Sequence, residues 1–234
     1  MSHHSVRIDL YRHSYAEYGP FKPDLTPEGV ELARERALEI AAEIDPDRRQ
    51  YLRIISSPKP RALGTADCIC RALNIPISKI QQETDLSDYL VHDLEERNRI
   101  LMETSPDRDF HRGWDAPYYN GDLLHDAHPE IFETRMSVAH RAFRWLGKQF
   151  QDYHDGRLHA DTIVVSHAEV LNLMLAPFRL KNDPIRQCER LRLELTPSAH
   201  VGGIHLRAIF RDKVKEGVYD TPATAFSRQL GEWL

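Results

Sequence analysis

"VRIDLYRHSYAE" (residues 6–17) decides how the rest of the chain is read. Val6, Ile8 and Leu10 alternate with Arg7, Asp9 and Tyr11, the two-residue period of a β-strand. The run then breaks into Arg12-His13, a fixed cation beside an imidazole where the strand should end. In an open α/β sheet, ligands bind at the carboxyl ends of the strands. One Arg-His pair in a chain with 13 histidines is a weak signal by itself. It gains meaning only if other strands bring matching groups to the same edge.

Two further segments share the layout of strand, polar residues, helix. "YLRIISS" (51–57) is a short strand, and "PKPRALGTADCICRALNI" (58–75) follows with Ala62, Ala66, Ile69 and Leu73 on one helical face. "ADTIVVSH" (160–167) is a buried strand, and "AEVLNLMLAPF" (168–178) is a helix stopped by Pro177. The remaining elements fit around them. In "LTPEGVELARERALEIAAEI" (25–44), Thr26 suits an N-cap, Pro27 the first helical position and Glu28 the positive end of the helix dipole. Val30, Ala33, Ala37, Ile40, Ala41 and Ile44 then recur at helical spacing. "ISKIQQETDL" (77–86) predicts a third strand and its exit. "PEIFETRMSVAHRAFRWLGKQF" (129–150) predicts a long helix with Ile131, Phe132, Met136, Ala139, Phe143, Leu146 and Phe150 as its apolar stripe. "ERLRLELTP" (189–197) and "GGIHLRAIFRD" (202–212) predict two late strands, with a loop-rich tail after Gly217.

Strands alternating with helices imply an α/β fold, a three-layer αβα sandwich around a mostly parallel central sheet. There is no internal repeat and no sign of an independent second domain, so residues 1–234 are expected to form one domain. Residues from about 88 to 128 lack clean periodicity and hold Trp114, Tyr118 and Tyr119, which reads as an inserted cap.

Composition narrows the function classes. With 31 basic against 36 acidic residues the net charge is −5, which argues against nucleic acid as a partner. No apolar run is long enough for a membrane span, and "MSHHSVRIDL" lacks the layout of a secretory signal. Cys68, Cys70 and Cys188 are odd in number and include no C-x-x-C, so reduced thiols and a cytoplasmic location are expected. No H-x-x-x-H or H-E-x-x-H pattern falls in a helix, and no metal or other cofactor is expected.

The three strand ends deliver Arg12 and His13, Ser57 and Arg61, and Ser166 and His167 to one rim. Two arginines and two histidines there make a site for a dense anion. At this point the chain resembles the histidine phosphatase superfamily, the phosphoglycerate-mutase-like group of branch 1 type. That family opens with a strand ending in R-H-G, continues with an L-T-x-x-G helix start as in "DLTPEGVELA", and follows with S-S-x-x-x-R-A-x-x-T-A, matched by "SSPKPRALGTA" (56–66). A strand ending in S-H-G or S-H-A is matched by "VVSHAEV".

The resemblance implies a metal-independent phosphatase that acts on phosphomonoesters, or on phosphohistidine, through a phosphohistidine intermediate. It makes His13 the nucleophile and puts Arg12, Arg61 and His167 on the phosphoryl oxygens. Ser14 and Ala168, which follow the two histidines, join the phosphate-binding set. Ser14 departs from the family's glycine. The general acid is expected at Asp88 of "DLSDYL", in place of the usual Glu, with Glu95, Glu96 and Glu169 as rivals. Tyr15, Tyr18, Lys22, Arg97, Arg99, Arg108 and Arg112 are further candidates for the pocket wall, although the arginines have acidic neighbours to pair with. The expected partner is a phosphorylated small molecule or phosphoprotein as substrate. An exposed late strand would allow a homodimer. A phosphoglycerate-type mutase is disfavoured because E-R-H-Y-G is absent. A non-catalytic module that binds phosphorylated ligands is the second alternative.

Overall fold

The computed structural model describes residues 4–16, 24–104, 127–178, 180, 185–198 and 203–220. The first strand, β1, runs Val6–Arg12, and the helix α1 runs Pro27–Glu43. The strand β2 (Arg53–Ser56) leads into α2 (Pro60–Leu73), and β3 spans Ile80–Gln82. Two helices follow, α3 (Leu94–Thr104) and α4 (Arg135–His154). Then come β4 (Thr162–Ser166) and α5 (Ala168–Leu175), and finally β5 (Arg190–Pro197), β6 (Gly203–Phe210) and β7 (Lys213–Asp220).

The seven strands form one mixed sheet in the order β3-β2-β4-β1-β5-β6-β7. Its first four strands are parallel, and β5, β6 and β7 continue it as an antiparallel meander. All five residues of β4 are buried, as a strand covered on both faces requires. The two faces feed two cores. Val6, Ile8, Leu10 and Val164 pack with Phe143, Leu146 and Phe150 of α4 and Leu171 of α5. Tyr11, Ile54, Ile163 and Val165 pack with Ala37 and Ile40 of α1 and Ala62, Ala66 and Ile69 of α2. Each fully buried Val, Ile or Leu side chain contributes roughly 1.5–3 kcal/mol. The alternation read in residues 6–11 therefore decides which side chains meet which helix layer.

The helix boundaries follow local chemistry. The Thr26 hydroxyl accepts from the Gly29 N–H at 2.9 Å, with Pro27 in the first turn. Asn74 ends α2 in the left-handed conformation, φ 58°.

Three expectations need correction. The long helix begins at Arg135, because Thr134 is its N-cap and accepts from the Ser137 N–H at 3.2 Å. Ile131 and Phe132 belong instead to a separate small core with Ile100, and Phe132 pairs with Val91. Met136 is exposed, not part of the stripe. The insertion read as aperiodic contains α3. A third late strand, β7, extends through Val218 to Asp220, where a loop-rich tail was expected. The remainder of that tail and Trp114, Tyr118 and Tyr119 lie outside the described residues. No helix among the described residues is long and apolar enough to cross a membrane.

Candidate active site

The carboxyl ends of β1, β2 and β4 lie side by side. The chain continues the ladder for one more step past each strand: the His13 N–H donates to Ser166 O at 2.9 Å, and the Ser57 N–H to Val165 O at 2.9 Å. Arg12, His13, Ser57, Ser166 and His167 are thereby carried to one rim. Arg61 reaches it from the first turn of α2, as the strand-polar-helix layout predicts.

The His13 ring is only 3% exposed, and both of its nitrogens are engaged. Nδ1 lies 2.6 Å from the Ser14 carbonyl oxygen. A carbonyl can only accept, so Nδ1 carries the proton. Nε2 accepts from Arg61 Nε at 3.1 Å, and a guanidinium can only donate, so Nε2 presents its lone pair. The tautomer is thus set by two partners of fixed role. Burial pushes the His13 pKa well below the ordinary histidine range, and the neighbouring His167 ring and the positive charges of Arg61 and Arg12 push it further. The ring is a neutral imidazole with a free electron pair, which is what a nitrogen nucleophile needs.

His167 stands edge-on to His13, with ring centroids 5.1 Å apart. It is fully buried, and its pKa too is driven down, by desolvation first and then by Arg61, Lys59 and Arg12. Its Nε2 meets Ser57 Oγ at 2.8 Å, and its Nδ1 faces Asp88 Oδ2 at 3.9 Å. Asp88 is buried and ion-paired to Arg61 through Oδ2. Its Oδ1 lies 3.6 Å from Lys59 Nζ. Arg12 donates through Nη1 to the Ile185 carbonyl at 2.8 Å.

Among the described residues, few buried side-chain polar atoms lack a hydrogen bond, and four belong to this rim: Arg12 Nε, Ser14 Oγ, Asp88 Oδ1 and His167 Nδ1. Buried polar groups are normally satisfied, so such a concentration marks where a polar ligand would be bound. No group of three or more His, Cys, Asp or Glu among the described residues is placed to hold a metal ion.

Ser14 is fully buried, and its N–H donates to Thr65 Oγ1 at 3.0 Å. Among the described non-glycine residues, positive φ is confined to Asn74, Cys188 and Arg211. Position 14 therefore makes no conformational demand for glycine, and serine fits without strain. Ala168 opens α5 directly after His167.

Asp88 is in contact with Arg61 and His167. Of its rivals, Glu95 is exposed on α3, Glu96 pairs with Arg99, and Glu169 is half-buried in the first turn of α5. Arg99 also holds Glu103 at 2.7 Å, so among the described residues it pairs with Glu96 and Glu103 of its own helix. Arg97 reaches Asn98 at 2.7 Å. Tyr15 is 41% exposed, whereas Tyr18, Lys22, Arg108 and Arg112 lie outside the described residues. Sequence reading missed Thr65 and Lys59, although both stand within the "SSPKPRALGTA" motif. It also missed the Ile185 carbonyl, which no sequence signal announces.

A sequence model of the histidine phosphatase superfamily (branch 1) matches residues 10–202. The chain belongs to that superfamily. A search of curated proteins returns no significant match. Among solved structures, the chain resembles a phosphoglycerate mutase from Bacillus anthracis str. Sterne with TM-score 0.59 and 13% identity, covering 99% of this chain and 97% of that one. A mycobacterial glucosyl-3-phosphoglycerate phosphatase aligns with TM-score 0.56 and 18% identity over 88% of this chain and 98% of its own. A protein described as mycobacterial hydrolase 1 gives 0.57 and 18% over 91% and 100%. At these identities the likeness is one of fold, that of a histidine phosphatase built on the mixed seven-stranded sheet.

Proposed function

We propose that this superfamily member is a metal-independent phosphatase that hydrolyses phosphomonoesters, or phosphohistidine, through a phosphohistidine at His13. The observation that carries the reading is the fixed state of His13: Nδ1–H held by the Ser14 carbonyl, and the Nε2 lone pair beside Arg61.

The Nε2 pair attacks phosphorus in line, the N–P bond forms and the P–O bond to the leaving group breaks. Arg12, Arg61 and His167 hold the phosphoryl oxygens, with Ser14 and Ala168 at the pocket floor. Positive charge aimed at those oxygens stabilises charge developing in the transition state. Arg61 turning from Asp88 Oδ2 to phosphate leaves the carboxylate to take the proton of the entering monoanionic ester and pass it to the leaving oxygen. Water then attacks the phosphohistidine, Asp88 takes a proton from it and hands that proton to the departing phosphate, and the N–P bond breaks. The sum is ester plus water giving alcohol plus phosphate. Phosphoglycerate derivatives head the substrate panel, since the structural neighbours include a phosphoglycerate mutase and a glucosyl-3-phosphoglycerate phosphatase.

The test is turnover of p-nitrophenyl phosphate in excess EDTA by the protein and by His13→Ala, with acid-quench and base-quench trapping of a phosphoenzyme. EDTA-resistant turnover and a base-stable, acid-labile phosphoenzyme, both lost in His13→Ala, are expected. A folded protein that binds vanadate but shows neither would instead be a phospho-ligand-binding module.

A further inference from the structure

Asp88 lies in a loop after β3, yet an acid that delivers a proton must be held to within a fraction of an ångström. The holder is on α4. A guanidinium has five N–H groups, and Arg141 uses all five within the protein. Nε donates to Glu133 Oε1 at 2.9 Å, and Nη2 to Glu133 Oε2 at 2.8 Å and to Asp88 O at 2.7 Å. Nη1 donates to Asp85 O at 2.8 Å and to Ser87 O at 2.5 Å. None remains for a substrate oxygen.

Glu133 completes the clamp. Beyond Arg141 it accepts from Ser137 Oγ at 2.8 Å and from the Leu90 N–H at 3.1 Å, while its own N–H donates to Leu90 O at 2.8 Å. Both side chains are buried, Arg141 8% and Glu133 6% exposed. Ser166 Oγ adds a bond to Leu86 O at 2.7 Å from the end of β4. The backbone is therefore gripped at positions 85, 86, 87, 88 and 90, on both sides of Asp88. Its carboxylate is left to Arg61, Lys59 and His167.

A buried ion pair is a weak source of stability, since an apolar pair of the same volume often serves as well. An apolar pair cannot grip three carbonyls. We propose that Arg141 and Glu133 are positioning residues for proton transfer, fixing the backbone around Asp88 so that its carboxyl meets the leaving oxygen. The inference rests on the reading of the site as a phosphatase with Asp88 as its acid.

The test compares two substrates. p-Nitrophenyl phosphate has a leaving group that departs without a proton, whereas β-glycerophosphate needs one. kcat and KM are measured on both for the unaltered protein, Asp88→Asn, Arg141→Met and the double variant Glu133→Met/Arg141→Met, with folding checked by circular dichroism. The double variant leaves no lone buried charge and decides the matter if Arg141→Met does not fold. The expected result is a kcat loss at least about tenfold larger on β-glycerophosphate than on p-nitrophenyl phosphate, in Asp88→Asn and in the clamp variants alike. Adding Asp88→Asn to the clamp variant should bring no further selectivity. Equal losses on both substrates in the clamp variants, with Asp88→Asn still selective, would overturn the positioning role alone. An unselective Asp88→Asn overturns Asp88 as the acid and the clamp's role with it. An unaltered protein with no turnover and no phosphoenzyme overturns the phosphatase reading beneath both.

Discussion

Ser57 Oγ lies 2.8 Å from Nε2 of His167, while Nδ1 of the same ring faces Asp88 Oδ2 at 3.9 Å. The Ser57 hydroxyl accepts from the Lys59 N–H at 3.3 Å, and its single proton has two acceptors in reach, His167 Nε2 and, at 3.4 Å, Ser87 Oγ. Donation to Nε2 puts the ring proton on Nδ1, pointing at a carboxylate and into the phosphoryl site. The Asp88 carboxylate facing Nδ1 favours that arrangement, in which the Ser57 hydroxyl holds the His167 tautomer from the other side of the ring. Ser57→Ala should lower kcat by about tenfold or more, with Ser57→Thr restoring much of it. Nitrogen NMR of the labelled imidazole should show the Nδ1–H form in the unaltered protein and a mixture in Ser57→Ala. A single Nδ1–H form in the alanine variant would show that another group sets the tautomer.

The two buried histidines also tie stability to pH. Their pKa values in the folded protein are lowered, through desolvation first and neighbouring cations second. The unfolded chain, with ordinary histidines near 6.5, then binds more protons than the folded one at any pH between the lowered values and 6.5. Stability therefore rises with pH through that window and falls on acidification below about 6.5. Urea midpoints measured between pH 7.5 and 5 should decrease, and the decrease should shrink in His13→Asn. A flat profile would mean that the two rings take up protons in the folded protein as readily as in the unfolded chain. By the same logic His13 stays nucleophilic below 6.5, so the acid limb of phosphoenzyme formation should lie under the ordinary histidine pKa.

The parallel half of the sheet was legible because its signals are local. Alternation in residues 6–11, the apolar run 162–165 and Pro and Thr at the start of α1 act within a few residues of one another. The polar residues at the strand ends were legible for the same reason, since topology alone brings them to one edge. The clamp was not. Arg141 donates to carbonyls more than fifty residues away and the Glu133 carboxylate accepts from the Leu90 N–H, and a backbone group leaves no mark on the sequence. Helix α4 was extended too far because Ile131 and Phe132 fit its stripe by spacing, while their burial comes from Ile100 and Val91 across the insertion. Strand β7 went unread because Lys213, Lys215 and Glu216 at a sheet edge carry little apolar pattern.

Arg61 joins two groups that must act in sequence, giving Nε to His13 Nε2 and Nη2 to Asp88. A lysine keeps the charge, but its three N–H groups radiate from one nitrogen and lack the planar fork that serves His13 and Asp88 from separate nitrogens. Arg61→Lys should reduce kcat by about 10²-fold, more than it raises KM, and Arg61→Ala should do worse. Stopped-flow kinetics should show the loss in phosphoenzyme formation. An Arg61→Lys variant within about twofold of the original would show that charge alone suffices there.

Gly29 tests how the loop after His13 is held from the far side. It lies in the first turn of α1, and a Cβ built on it would stand 2.1 Å from the Tyr15 carbonyl oxygen. That oxygen already accepts from the Thr26 N–H at 3.1 Å, and Ala16 bridges to Leu25 beside it. The glycine is therefore required for close approach of helix to loop, not for its backbone angles. The obstacle is backbone, which a rotamer change cannot relieve. Gly29→Ala should destabilise the fold by about 1–3 kcal/mol and push the loop after Ser14 away from α1. Because the Ser14 carbonyl holds His13 Nδ1, the displacement should also lower kcat, while Gly64→Ala, whose new Cβ would meet side chains, Leu25 at 3.1 Å and Asp24 at 3.9 Å, should do less of both. Thermal denaturation and p-nitrophenyl phosphate turnover on the two variants decide it: equal effects at both positions would remove the loop contact from the account of how His13 is oriented.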